Sequence, residues 1–325
     1  MKEKRYTILE TPYVFSIIVF FGMVVYMANY LPYNQRKPDT QYRDVLKHIF
    51  DTGEYGETRQ GPRAKTIIGV QMHFPIANGF PIITDRSIEK FWRKPVDELC
   101  AFINGVRTQK GLEEYGVTWW SAWTSAEKSQ KRGLEPGDIG PGSYGAAFHD
   151  FPTADGGHFD QFKHLVEQMI ELPELRTHFV TPWVPQYIVR GKGKQQKVTL
   201  APCHGWIHVR IYNKAIHLHM FQRSGDFPIG VPSNMVQYAA LGLMLEHLTG
   251  YEFKEYVHTV SDAHIYEDQE DKIQELFTRE PNAFPTVQLT EEGKQVKDIH
   301  DFRGRHFELT DYDPLPGIPG IPVAT

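Results

Sequence analysis

Cysteine is nearly absent from this chain: two residues, Cys100 and Cys203, occur among 325. That scarcity excludes a disulfide framework and points to a reducing compartment such as the cytoplasm. A charge of one dominant sign is also missing. Lysine and arginine number 35 against 40 acidic residues, a net charge of −5, so the chain carries no global nucleic-acid footprint. The 15 histidines are scattered: His217 and His219 alternate on a strand, His258 and His264 are too far apart for a helical pair, and no clustered Cys/His pattern suggests zinc, so no metal site is expected. No internal repeat is visible. What the chain has is an ordinary globular share of hydrophobic residues, 41%, enough for a large core in one or two domains.

One long apolar run stands apart. No charge occurs from Thr11 to Gln35, and Tyr13 to Leu31 is almost wholly apolar. Lys2, Lys4 and Arg5 precede it, and Arg36 and Lys37 follow. Spanning a bilayer takes roughly 20 such residues. Tyr26, Tyr30 and Tyr33 suit a membrane interface, and no small-residue cleavage pattern follows. Three readings stay open: a retained anchor giving membrane contact through residues 13–31, a core helix, or a stretch upstream of a natural start such as Met27. Pro38-Asp39-Thr40 then marks a boundary, with an extension over 1–39 and one domain over 40–325.

The domain is organised around Ala201-Pro202-Cys203-His204. After it, Ile207, Val209 and Ile211 alternate with Trp206, His208 and Arg210, the period of a strand. Tyr212-Asn213-Lys214-Ala215 is turn-like, and a second strand from Ile216 brings Arg223 back towards Cys203. A thiol beside an arginine has a favoured thiolate, the form that attacks carbon. Upstream, Tyr42, Val45, Leu46, Ile49 and Phe50 predict a helix closed by Gly53. Strands are expected over Thr66–Phe74 and Phe80–Thr84. A buried helix carries Glu98 among apolar neighbours, where a carboxylate has a raised pKa useful for moving protons. Trp119, Trp120 and Trp123 suit a flat ring or a core. Gly140 to Gly145 forms a turn presenting Tyr144. A central helix from about Ser233 to His247, closed by Gly250, holds Asn234 in its first turn. A strand through Val257 delivers Asp262, His264 and Tyr266, and the tail after Asp313 is rich in proline and glycine.

Pro202-Cys203-His204, Gln222-Arg223-Ser224-Gly225-Asp226, then Gly230, Pro232 and Asn234, and finally His258, Asp262, His264 and Tyr266 resemble the folate-dependent thymidylate synthases in order and spacing. Glu98-Leu99, Trp120 with Trp123, Gly140-Pro141 before Tyr144, and the closing Pro322-Val323-Ala324 fit the same pattern. The resemblance implies an α/β (α+β) fold with a large bent mixed sheet flanked by helices, and an obligate homodimer. It implies reductive methylation of dUMP by 5,10-methylenetetrahydrofolate, the cosubstrate, with no metal. Cys203 would be the nucleophile, aided by Glu98, Tyr144, His204, Arg223 and Asn234. Arg59, Arg223, Ser224 and, across the dimer, Arg176 would hold the phosphate. Gln222, Asp226, Asn234, His264 and Tyr266 would complete the nucleotide site, and Trp120, Asp226 and Ala324 the folate site.

Four departures are visible. Arg176 is followed by Thr177 where the family has a second arginine, with Arg63 a candidate to compensate; Gly142-Ser143 carries one extra residue before Tyr144; and Ala146-Ala147-Phe148 and Ser233 stray from the pattern. They leave room for a hydroxymethylase on the same scaffold. Two other classes fit less well. In a Cys–His hydrolase, adjacent Cys203 and His204 would face opposite sides of a strand. An idle membrane-tethered binding protein would not keep Cys203, Glu98, Tyr144 and Asn234 together.

Overall fold

The computed structural model describes residues 28–324, with the backbone of a short strand pair, Val19–Phe20 and Met23–Val24, before them. The apolar run therefore lies mostly outside the described residues. Among the described residues no helix is long and apolar enough to cross a membrane. The end of the run is packed on the body: the Leu31 amide donates to Ala77 O (2.8 Å), and the Tyr30 hydroxyl to Val287 O (2.8 Å). Arg36, buried, donates to Leu31 O, Phe284 O and Thr286 Oγ1.

The first helix, α1 (Gln41–Thr52), buries Tyr42, Leu46 and Ile49 along one face, and Gly53 follows it. A six-stranded sheet comes next: β1 (Glu54–Gly56), β2 (Ala64–Pro75), β3 (Phe179–Val180), β4 (Trp206–Tyr212), β5 (Ala215–Asp226) and β6 (Glu252–Tyr266), in the order β1-β2-β6-β5-β4-β3. Only β5 and β6 run parallel; the other neighbours are antiparallel, so the sheet is mixed. The parallel pair requires a crossover. It is supplied by α5 (Gly230–Thr249), whose apolar residues lie on all sides and are buried on all sides. Asn213 and Lys214, with φ of 52° and 60°, make the β4–β5 turn, the backbone twist that two-residue hairpins need.

Along β4, β5 and β6 burial alternates strictly through the middle of each strand. Ile207, Val209, Leu218, Met220, Tyr256 and Val260 face the helices and are buried. His208, His219, Val257 and Thr259 face the other side and are only half-buried. On the helix side lie α2 (Arg93–Ile103), α3 (Tyr144–His149) and α4 (Gln161–Glu171) with α5. Phe80–Thr84 is a correction: these residues are buried but unpaired as a strand, tied by single bonds such as Phe80 N to Pro285 O (2.8 Å). Their apolar side chains fill the core without a neighbouring edge to join. The tail is placed on the body, with Leu315 N donating to Thr84 O (2.8 Å).

Candidate active site

Cys203 sits just before β4, and Arg223 lies on the adjacent β5. The Arg223 amide donates to Cys203 O (2.7 Å), which fixes the register between them. The guanidinium is clamped from below: Nε donates to Pro202 O (2.7 Å) and Nη2 to Ala201 O (3.0 Å), while Nη2 also stands 3.3 Å from Cys203 Sγ. The expected arginine–thiol contact is therefore present. Its electrostatic outcome is not the expected one. Burial pushes the Cys203 thiol pKa up, and Arg223 offsets only part of that shift; Asp262 adds to the rise. The thiol keeps its cation in contact.

Tyr144 opens α3, and its hydroxyl accepts the Cys203 N–H (2.7 Å). Its ring stacks on Phe102 of α2 (4.8 Å between centroids) and on His204 (4.6 Å). His204 is buried and held neutral, its pKa lowered to about 3 by burial and then by Arg223; its Nδ1 meets the Tyr238 hydroxyl (2.6 Å). Gly205 (φ 97°) follows, where a Cβ would stand 2.9 Å from both Phe148 and the Tyr238 hydroxyl.

Glu98 is buried on α2. Its Oε1 accepts from Trp119 Nε1 (2.7 Å) and Trp120 Nε1 (2.6 Å), and its Oε2 from Gln237 Nε2 (2.7 Å). Burial raises its pKa despite those three donors. The bonds continue in one row: Asn234 Nδ2 donates to Gln237 Oε1 (2.8 Å), Gln222 Nε2 to Asn234 Oδ1 (3.0 Å), and His258 Nε2 meets Gln222 Oε1 (2.8 Å). With Glu98 ionised, a carboxylate can only accept, so every amide in the row must point its N–H towards it. His258 is neutral, its pKa lowered to about 3 by burial, and Nδ1 is the ring nitrogen left without a partner. The contacts close into a ring. Tyr144 stands edge-on to Trp120 (6.3 Å), and Gln222 is peptide-bonded to Arg223. The thiol–arginine contact and the row from His258 to Glu98 are thus joined through the strand backbone at Gln222-Arg223 and through Tyr144.

Other expected residues are placed nearby. Asp226 accepts from Gln269 Nε2 (3.1 and 3.2 Å) and from Ile229 N, and its pKa is pushed up to about 6 by burial. Gln269 also donates to Pro322 O (3.0 Å), which brings the tail carrying Ala324 beside it. His264 and Tyr266 are buried with their rings edge to face (5.0 Å). Ser224 Oγ donates to Asp262 Oδ2 (3.0 Å). Arg59 and Arg176 are exposed. Neither guanidinium forms a hydrogen bond or ion pair among the described residues. Arg63, the candidate to compensate for Thr177, forms an exposed ion pair with Glu267 (2.7 Å). The sequence reading missed Gln237, Tyr238 and Gln269. The signal for Gln237 was available: a glutamine three residues after Asn234 on an otherwise apolar helix shares its face.

A family model described as thymidylate synthase matches residues 40–324. The chain belongs to the thymidylate synthase family. The mixed sheet flanked by helices is the fold expected of that family, and the match begins at the boundary after Asp39. Membership carries a thymidylate synthase-type or related pyrimidine-modifying transferase activity that uses folate.

Proposed function

We propose that the chain is a thymidylate synthase, converting dUMP to dTMP with 5,10-methylenetetrahydrofolate and releasing dihydrofolate. The observation that supports this best is the Cys203–Arg223 contact beside the row that links Asn234 to Glu98 through Gln237, the two meeting at the Gln222-Arg223 backbone. Uracil C5 is a poor nucleophile. Addition of the Cys203 thiolate at C6 makes C5 enolate-like, able to take a one-carbon unit. The folate supplies that unit and the hydride that completes the methyl group. Asp226, a half-buried acceptor beside the tail, fits a ring rich in N–H donors, with Trp120 and Ala324 on the same side in this reading. Asn234 uses one hydrogen and one lone pair within the row, so a second of each is left for the uracil edge. Glu98, its pKa raised, moves protons through water at the base and the folate. Tyr144 and neutral His204 orient the group that removes the C5 proton.

Arg59, Arg223 and Ser224 hold the phosphate, together with the partner subunit's Arg176. His264 and Tyr266 take the ribose hydroxyls, and Gln222 backs the base. The half-buried outer face of the sheet, with Phe179 53% and Tyr212 49% exposed at its edge, supports a homodimer packed there. Two unpaired cysteines fit a cytoplasmic setting.

A second reading has one specific observation behind it. Ser143, part of the extra residue before Tyr144, is buried and its Oγ has no partner among the described residues. Such a hydroxyl can hold a water beside Tyr144, as a dUMP hydroxymethylase requires. One assay separates the two. Full-length protein with dUMP and methylenetetrahydrofolate yields dTMP and dihydrofolate in the first case. It yields hydroxymethyl-dUMP and tetrahydrofolate in the second. Cys203→Ala should abolish turnover while dUMP still binds; undiminished turnover would refute both.

A further inference from the structure

Away from the thiol, three side chains from distant parts of the chain converge. His149 is the last residue of α3, Asp160 is the N-cap of α4, and His300 sits in a 3-10 turn, Ile299–Asp301. Their donor atoms all lie within 4.8 Å of one another. Asp160 Oδ2 is 2.9 Å from His300 Nε2 and 3.8 Å from His149 Nε2. The two imidazole rings stand nearly perpendicular, at 84°. We propose that His149, Asp160 and His300 bind one divalent transition-metal ion of the zinc class.

The argument rests on where the lone pairs point. Each histidine turns Nδ1 to a carboxylate: His300 to Asp298 (2.6 Å) and His149 to Asp150 (3.1 Å). Those carboxylates hold the proton on Nδ1 and leave Nε2 with a lone pair, as outer-shell carboxylates do around metal-bound histidines. Asp160 is oriented in the same way. Its Oδ1 is occupied by the Lys163 N–H (2.9 Å), leaving Oδ2 for the cluster. His300 Nε2 is buried and close to Asp160, yet it makes no aligned hydrogen bond. Three lone-pair donors facing one point repel unless a proton or a metal cation sits between them, and a bound ion displaces the proton that Asp160 and His300 share. Zinc bonds of about 2.0–2.2 Å at tetrahedral angles set ligand atoms roughly 3.3 Å apart, inside the range seen here. Imidazole donors favour zinc-like ions over calcium or magnesium. His300 keeps 19% of its side chain exposed, which leaves a route for the ion and room for water as a fourth ligand. The site is a clip. It ties the end of the helix that begins with Tyr144 to α4 and to the 299–301 turn.

The test uses full-length protein stripped with a chelator and titrated with Zn²⁺ against a chromophoric competitor, with Co²⁺ as the spectroscopic probe. One ion per chain and the intense visible bands of low-coordinate Co²⁺ are expected. His149→Gln and His300→Gln, checked as folded by thermal melting, should each weaken Zn²⁺ binding at least about tenfold. Asp298→Asn should act in the same direction through His300, by about tenfold. Equal zinc uptake by wild type and the His149→Gln/His300→Gln double variant would overturn the proposal. Uptake lost in Cys203→Ala but kept in the double variant would place the ion on the thiol instead, and would overturn it equally.

Discussion

At Cys203 two opposing effects meet, and their sum governs how the thiol reacts. Burial raises its pKa more than Arg223 lowers it. The thiolate therefore forms at a higher pH than for an ordinary cysteine, near 8.5. Alkylation by iodoacetamide in the absence of nucleotide should still be accelerating above that pH, and Arg223→Ala should move the profile higher still. A profile flat above pH 8 would show that Arg223 wins. Gln237 offers a second test at this scale. Gln237→Ala leaves Asn234 Nδ2 and Glu98 Oε2 without their partner. A loss of about 1–3 kcal/mol in urea unfolding is expected, with kcat falling more than KM rises. The arginine contact was legible in the sequence, because strand period and turn length place Arg223 opposite Cys203. The direction of the thiol shift was not, because it depends on how much water the finished fold excludes. Gln237 was legible only to a reader who asked what shares a helical face with Asn234.

Elements were easier to read where local pattern and packing agree. The β4–β5 hairpin, the Asn234 helix and its closure at Gly250 follow from alternation, apolarity and the left-handed glycine (φ 75°). Phe80–Thr84 has the composition of a strand but no free edge to pair with, a fact settled elsewhere in the chain. Helix α5 is pressed against β6 so closely that a Cβ on Gly242 would fall 2.2 Å from the Phe253 ring. Gly242→Ala should therefore destabilise the protein, by about 1–3 kcal/mol or more, despite the better helix propensity of alanine. Stabilisation in chemical unfolding would mean that the ring has room to move.

For the molecule as a whole, the long-range bonds that no local pattern announces do much of the joining. Glu246, near the end of α5, accepts the amides of Ala28 (3.0 Å) and Phe253 (2.9 Å), so it links the N-terminal segment, α5 and β6. Burial raises its pKa to about 8. The folded state then binds this proton more tightly than the unfolded chain does. Stability contributed here is complete at low pH and is lost as pH climbs from the ordinary carboxyl range towards 8. Wild type should lose more melting temperature between pH 5 and pH 8 than Glu246→Gln; parallel losses would remove Glu246 from the account. The row from His258 to Glu98 has a consequence on the same scale, since it crosses β6, β5, α5 and α2. An aspartate at Asn234, the change that would suit cytosine, has no hydrogen to give Gln237. Gln237 would have to rotate and turn its oxygen on Glu98, so a substitution at Asn234 reaches that carboxylate two side chains away through the row of bonds.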